Sequence, residues 1–348
     1  MMRFFKKHKV LTVIICVIVV MIAAVAATGF HYLNKISYDD GTLITAPTES
    51  GQTDDNDLLN AGTLSDEEAS KLAGADSSIK NNASDSKVRY SDDVYNILLM
   101  GIDYGSKRFP YGRSDSMIVV SINKQQKTVK LVSLSRAAYA SIQGYNNTRL
   151  SHAHGYGGAP LAIDTVERNY KIRIDRYISV DFDSFKQIID AFGGVKITLT
   201  SVEREVMNGG FPGKFPSAGT YNLNGEQALA YARLRETDSD KTRTGRQRAV
   251  LLSLAEKAKS MSVGDAVTML NTVLPLVRTD FTKTELIRQA ANALSYLKWD
   301  ISEDRLPVSA TNLVLRGDFE VLLVDWAKEY AYTNDLMYKG VEVKYENK

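Results

Sequence analysis

One cysteine, Cys16, in 348 residues excludes an intrachain disulfide framework. It lies inside an apolar run, where it reads as a small buried hydrophobe. A charge excess of either sign is also missing, with 43 Lys and Arg against 41 Asp and Glu. A uniformly basic chain built for nucleic acid is therefore not indicated. No internal repeat, Ser-His-Asp arrangement, P-loop or zinc signature is present, which removes the usual nucleophilic and nucleotide-binding readings.

The charge that is there is unevenly placed. Residues 1–9 carry Arg3, Lys6, Lys7 and Lys9 and no acid, and residues 31–90 carry 5 basic against 11 acidic side chains. Val10 to Phe30 is apolar or small throughout. At about 1.5 Å per residue it spans roughly 30 Å, the thickness of a hydrocarbon core. The basic stub predicts a cytoplasmic N-terminus and an extracytoplasmic remainder. A cleaved signal peptide is the alternative, with Ala24-Val-Ala26 as its cleavage-like stretch, but the apolar run is long for one. Residues 31–89 have linker composition, rich in Asp, Ser, Thr, Asn and Gly, with a weak helix signal at Ser65–Leu72. The layout predicted is a stub at 1–9, a membrane anchor at 10–30, a linker at 31–89, a folded domain at 90–340 and a tail at 341–348.

Within that domain, strands are expected at Val94–Asp103, at Met117–Asn123 and Thr128–Leu134 as a hairpin, at Arg176–Asp181 and at Val195–Thr200. Helices are expected at Ala159–Lys171, Asp183–Phe192, Asn224–Arg233, Thr242–Met261 and Thr282–Leu297. Gly193-Gly194 closes the second of these, and Thr282 with Glu285 opens the last as a capping box. Ala228, Leu229 and Tyr231 are candidate core residues. Alternating strands and helices imply a layered α/β domain.

Arg233-Leu-Arg-Glu-Thr-Asp-Ser-Asp-Lys-Thr-Arg-Thr-Gly-Arg-Gln247 concentrates the chemistry. Residues 233–248 carry 6 basic against 3 acidic side chains. Positions 243, 246, 247 and 250 share one face of a helix, and arginines near a helix start suggest an anion site. Arg233, Arg235, Arg243, Arg246 and Gln247 therefore read as a diphosphate clamp threaded by Asp238 and Asp240. Asp103 at a strand end and Asp115 in Gly112-Arg113-Ser-Asp115 could hold one hard cation, although aspartates in loops are also common turn residues. Arg113 and Arg136 gain meaning only if they act on the same anion, where arginine donates paired hydrogen bonds to phosphate. His152 and His154 could be a base or a metal pair, but no third ligand is spaced to join them. The apolar residues of Ile163–Tyr170, Phe182–Phe192 and Val250–Leu254 suit an ordinary core or a lipid cavity.

The chain resembles the LytR–CpsA–Psr family of bacterial cell-envelope phosphotransferases from about Asn96 to Gly340. The resemblance rests on Asn96-Ile-Leu-Leu-Met-Gly-Ile-Asp103, Arg113-Ser-Asp115, Val132-Ser-Leu-Ser-Arg136, His152-Ala-His-Gly-Tyr-Gly-Gly158, Val180-Asp-Phe-Asp-Ser-Phe185, Gly193-Gly-Val195, Leu223-Asn-Gly-Glu-Gln-Ala-Leu229 and the 233–247 run. It implies an α/β/α sandwich with a central mixed sheet and an apolar tunnel for a polyprenyl chain. It also implies transfer of a glycopolymer phosphate, such as teichoic acid or capsule, from a polyprenyl-diphosphate carrier to a peptidoglycan sugar hydroxyl. Carried over by position, Asp103 and Asp115 would hold Mg2+ or Mn2+. Arg136, Arg233, Arg235, Arg243 and Gln247 would hold the diphosphate oxygens, with Arg113 and Arg246 as further candidates from the residue pattern; Asp238 or Asp240 would take the acceptor proton or simply orient an arginine. The implied setting is the bacterial cell membrane, crossed once, with no nucleic acid partner. One departure stands out: Ala137 follows Arg136 where the family usually has Asp. It keeps open a second reading, a non-catalytic binder of polyprenyl diphosphate or glycan; a third, an envelope-linked transcriptional attenuator, follows from a label attached to the family, and the charge at the anchor argues against it.

Overall fold

The apolar run after Val94 has nowhere to go but inward. Ile97, Leu98, Met100 and Ile102 are all buried, and so are Met117, Ile118, Val119, Val120 and Ile122 on the next strand. Near-continuous apolar runs of this kind belong to strands covered on both faces. The computed structural model describes residues 37–38, 64–103, 105–106, 109–234, 240–259, 269, 272–282, 285, 289, 296, 299–315 and 319–348.

In chain order the elements begin β1 (Ser37–Tyr38), α1 (Asp66–Ala83), β2 (Lys87–Tyr90), β3 (Val94–Ile102), β4 (Ser114–Asn123), β5 (Thr128–Leu134), β6 (Tyr139–Ala140) and β7 (Thr148–Arg149). They continue with α2 (His152–Tyr170), β8 (Arg176–Asp181), α3 (Phe182–Ala191), β9 (Val195–Leu199), α4 (Ser201–Gly210), β10 (Gly219–Leu223), α5 (Gly225–Arg233) and α6 (Asp240–Lys259). The last are β11 (Arg278–Thr279), β12 (Asp300–Leu306), β13 (Ala310–Leu315), β14 (Phe319–Val324), α7 (Trp326–Tyr338) and β15 (Lys344–Asn347). The fold is mixed α/β with a central mixed sheet, as expected. The described residues fall into two compact units: those within 37–38, 127–129 and 178–302 form the first, and those within 64–126, 130–177 and 303–348 the second.

In the second unit the strands lie in the order β3-β4-β5-β12. β3 and β4 are antiparallel, from Val94 opposite Asn123 to Met100 opposite Met117. Leu72 and Ile79 of α1, Leu161 and Val166 of α2 and Trp326 and Met337 of α7 join Leu98 and Val119 in one core. Arg89 is fully buried and donates to the carbonyls of Tyr170, Lys171 and Tyr330. A guanidinium at the end of α2 satisfies carbonyls that the helix leaves unbonded. Burial pushes Arg89 below its ordinary pKa.

Three expectations for this unit are corrected. Asp66–Ala83 is helix, not linker. Ser65 and Glu68 form a reciprocal capping box, and Leu72, Ala75 and Ile79 turn one stripe inward. Residues 344–347 are not a separate tail, because β15 pairs antiparallel with β2. α2 starts at His152, seven residues before the expected Ala159, and Gly157 and Gly158 break it with non-helical dihedrals.

The first unit holds β8, with β11 antiparallel to it and β1 parallel to β11. Asp181 caps α3 by accepting from the Ser184 N–H, and Thr200 with Glu203 and Asn224 with Gln227 box the starts of α4 and α5. β9 and β10 make a separate antiparallel ribbon. Ile189, Val195, Leu223, Ala228, Val250 and Leu254 share the core of this unit. Ala228 and Tyr231 are buried as expected, whereas Leu229 is half-exposed. The Thr282–Glu285 box is formed, and the described residues 285, 289 and 296 after it are helical. The expected anchor at Val10–Phe30 lies outside the described residues; among those described, no helix is long and apolar enough to cross a membrane.

Candidate functional site

Asp103 and Asp115 meet because of a register change. On β3 and β4, Gly101 faces Ser116 but Ile102 faces Ser114, so Asp115 is the extra residue of a β-bulge. A bulge bends the strand and re-aims the side chain it carries. The N–H groups of Asp103 and Asp115 both donate to the Arg113 carbonyl, at 2.9 and 3.1 Å. That shared acceptor makes the two aspartates neighbours across eleven residues of connecting chain. Gly112 makes the connection possible. Its φ is +73°, and a Cβ there would lie 2.3 Å from the Asp103 carbonyl oxygen.

Each carboxylate carries an arginine. Asp103 Oδ1 accepts the Arg113 N–H, and Oδ2 accepts from Nε and Nη2 of the same residue, at 2.9 and 2.8 Å. Arg136, at the end of β5, donates from Nη1 to Asp115 Oδ1. The loops are knitted together: the Ser151 N–H donates to the Arg136 carbonyl and the Ser114 N–H to the Ser151 carbonyl. Arg113 is 35% exposed and Arg136 13%. The two pairs fix the direction of both guanidinium groups and both carboxylates.

His154 Nδ1 lies 2.8 Å from the Gly112 carbonyl. A carbonyl only accepts, so Nδ1 carries the proton and the imidazole braces the glycine turn. His152 is fully buried and bonds Thr148 through Nδ1, at 3.2 Å. The two histidines are thus held separately, each through Nδ1. Sequence reasoning missed this bracing role, although the glycine beside Arg113 was a signal for it.

As a cation site, the Asp103–Asp115 pair offers oxygen donors only, the set that suits Mg2+ or Mn2+. Asp103 already accepts three N–H bonds and Asp115 one, out of about four lone-pair positions each. Capacity remains, mostly on Asp115. Among the described residues no three or more His, Cys, Asp or Glu gather as a cage.

The 233–250 residues, in the other unit, behave differently. Arg233 is exposed in the last turn of α5, its guanidinium carbon 4.7 Å from the centre of the Phe182 ring. α6 begins at Asp240, two residues before the expected start, and Arg243, Arg246 and Val250 are buried on one face with Gln247 half-buried. The shared face is thus confirmed, but it turns inward. Arg246 donates from Nε to Glu203 Oε1 at 2.7 Å and from Nη1 to the Leu234 carbonyl at 3.1 Å. Its charge is committed to tying α6 to α4, a partner the spacing did not reveal. Nearby, burial first and Glu203 second push the Tyr231 hydroxyl up to about 12. Arg235 and Asp238 lie outside the described residues, as does the side chain of Asp240.

The profile of the LytR_cpsA_psr family matches residues 60–331. The chain belongs to this family. The match opens ahead of α1, earlier than the motifs alone indicated. Among family members, the polyisoprenyl-teichoic acid–peptidoglycan teichoic acid transferase TagT of Bacillus subtilis is 37% identical over 175 residues, 49% of this chain and 54% of that protein. The corresponding transferase TagU of Enterococcus faecalis is 36% identical over 195 residues, 55% of this chain and 62% of that protein. The chain thus spans between half and two thirds of the length of these curated relatives. A solved structure of TagT bound to LIIa-WTA aligns with a TM-score of 0.57 and 26% identity, covering 71% of this chain and 91% of that one. Against the family's usual Asp, Ala137 is 4% exposed and its carbonyl accepts the Leu322 N–H. Arg136 does not depend on a carboxylate at position 137 for its direction, because Asp115 supplies it.

Proposed function

We propose that this protein is a membrane-anchored phosphotransferase that moves a glycopolymer from a polyprenyl-diphosphate carrier to a peptidoglycan sugar hydroxyl. The observation that carries the proposal is the interlocked Asp103–Arg113 and Asp115–Arg136 arrangement at the β3–β4 bulge. It offers two directed guanidinium groups and two carboxylates to one small anionic head group. The relatives' names, as teichoic acid transferases, support the same reaction class.

Phosphoryl transfer asks the protein mainly to position the reactants and to stabilise negative charge on phosphate oxygens. Arg113 and Arg136 would bind the diphosphate oxygens bidentately, exchanging part of their present carboxylate bonds for phosphate. Asp103 and Asp115 would hold Mg2+ or Mn2+, which when bound supplies charge neutralisation to the phosphates. Arg233, Arg235, Arg243 and Gln247 carry a phosphate role by the family resemblance alone, and Arg246 ties α6 to α4 through Glu203. The acceptor oxygen attacks the sugar-side phosphorus, and the bond from that phosphorus to the bridging oxygen breaks. Polyprenyl phosphate leaves, and the hydroxyl proton passes to Asp238 or Asp240. The isoprenoid tail would occupy an apolar tunnel of the fold. The anchor at Val10–Phe30 would hold the catalytic domain outside the cytoplasmic membrane.

The test is release of polyprenyl phosphate when the protein, a lipid-diphosphate glycan, Mg2+ and peptidoglycan oligosaccharide are mixed. Losing one charge-stabilising donor costs about 2.7–4 kcal/mol of transition-state stabilisation. Arg136→Ala should therefore slow release by about a hundredfold or more. Carrier binding with no release by the wild type would make the protein a binder and overturn the transferase reading.

A further inference from the structure

A ladder of rings runs outward from the Asp103–Arg113 pair. The Arg113 guanidinium carbon lies 5.5 Å from the centre of the Phe109 ring, and Phe109 lies 5.3 Å from Tyr156. Tyr156 stacks on Tyr145, with centroids 4.4 Å apart and planes within 9°. Phe109 is buried in a notch at Gly155, where a Cβ would come within 2.4 Å of its ring. Tyr145, Tyr156 and Tyr111 are each only half-buried. Tyr111 packs beside the Gly157–Gly158 break, 3.7 Å from where a Cβ on Gly158 would sit. Burial, and then the neighbouring Tyr111, raise the Tyr145 hydroxyl above its ordinary pKa.

The ladder ends on a loop that is fixed at its base and polar at its tip. The Tyr145 N–H donates to the Ile142 carbonyl at 3.0 Å, and Asn147 Nδ2 and Tyr139 Oη both donate to Asp76 Oδ1 of α1. Gln143 and Asn146, either side of Tyr145, are exposed. Tyr145 and Tyr156 pack against the core of this unit and stay half-exposed. Here phenylalanine fills the base and tyrosines form the rim, flanked by amides that can both donate and accept.

This combination suits a pyranose ring. The C–H face of a sugar packs on the electron-rich face of an aromatic ring, and its hydroxyls bond to neighbouring amides and phenols. We propose that Tyr145, Tyr156 and Tyr111, with Gln143 and Asn146, form a subsite for a sugar ring of the glycan, next to the phosphate. The inference rests on the reading that the Asp103–Arg113 and Asp115–Arg136 arrangement holds the diphosphate. The ring could belong to the donor or to the acceptor.

Isothermal titration of the full chain with three ligands tests it: bare octaprenyl diphosphate, the same carrier bearing a disaccharide, and a free peptidoglycan disaccharide. Wild type should bind at least one sugar-bearing ligand with a Tyr145-dependent affinity. Tyr145→Ala should lose about tenfold on that ligand. It should keep both its affinity for the bare carrier and its melting temperature, and Tyr145→Trp should retain sugar binding. Dependence confined to the glycosylated carrier places the donor sugar in the subsite; dependence for the free disaccharide places the acceptor there. Equal losses on bare and glycosylated carrier, or no Tyr145 effect on any sugar-bearing ligand, would overturn the subsite. If neither carrier binds but the free disaccharide still binds through Tyr145, the diphosphate reading fails and the subsite stands.

Discussion

The arginines of the β3–β4 bulge and Arg246 of α6 have the same chemistry and opposite settings. Arg113 and Arg136 are each held by a neighbouring aspartate while keeping access to solvent. Arg246 is 3% exposed in its side chain and locked onto Glu203. Helical spacing of arginines cannot distinguish a group that will meet a ligand from one that holds two helices together. The partner decides, and the partner can lie far away: Glu203 is 43 residues from Arg246.

The contrast breaks cleanly if stability and turnover are measured on both sides of it. The largest effect is expected from Arg246→Ala, which strands a buried carboxylate. Breaking one partner of a buried pair costs about 3–5 kcal/mol, so denaturant melts should show the first unit severely destabilised. Arg136→Ala should do the reverse, with turnover down by about a hundredfold and the melt nearly unchanged. If Arg246→Ala unfolds no more easily than Arg136→Ala, the division between the two sets is wrong. Next comes Gly112→Ala, which forces a Cβ onto the Asp103 carbonyl at a left-handed φ. Strain of this kind costs about 1–3 kcal/mol and should misalign both aspartates, so carrier binding should weaken along with stability.

Much of this was legible in the sequence where local rules governed. The β3, β4 and β5 segments, the Gly193-Gly194 stop and the Thr282–Glu285 box follow from apolar runs, turn residues and caps acting within a few positions. α1 was not legible from composition, because only Leu72, Ala75 and Ile79 of its 18 residues are buried. Its inward stripe is too thin to lift the segment out of a linker-like average, although the Ser65 cap marked its start. The site's residue types were readable, but its geometry was not. The Asp115 bulge is a property of strand register, and the Tyr145–Tyr156 stack joins a loop to a helix.

A smaller effect separates burial from pairing. Burial raises the Glu167 carboxyl above its ordinary value of 4.5, against the pull of Lys348 and the Ile174 N–H. The folded state therefore binds that proton more tightly than the unfolded chain. This contribution to stability is full below the ordinary value and is lost as pH rises through the raised one. The melting temperature of wild type relative to Glu167→Gln should accordingly fall as pH climbs from about 4 towards neutrality. A flat difference would mean that Lys348 outweighs burial.

The central claim, that the bulge arginines and aspartates form a diphosphate site, is tested most directly by a crystal structure with a polyprenyl diphosphate bound. The account predicts phosphate oxygens within hydrogen-bonding distance of the Arg113 and Arg136 guanidinium groups, beside Asp103 and Asp115. A head group bound elsewhere, with both arginine–aspartate pairs intact, would contradict it.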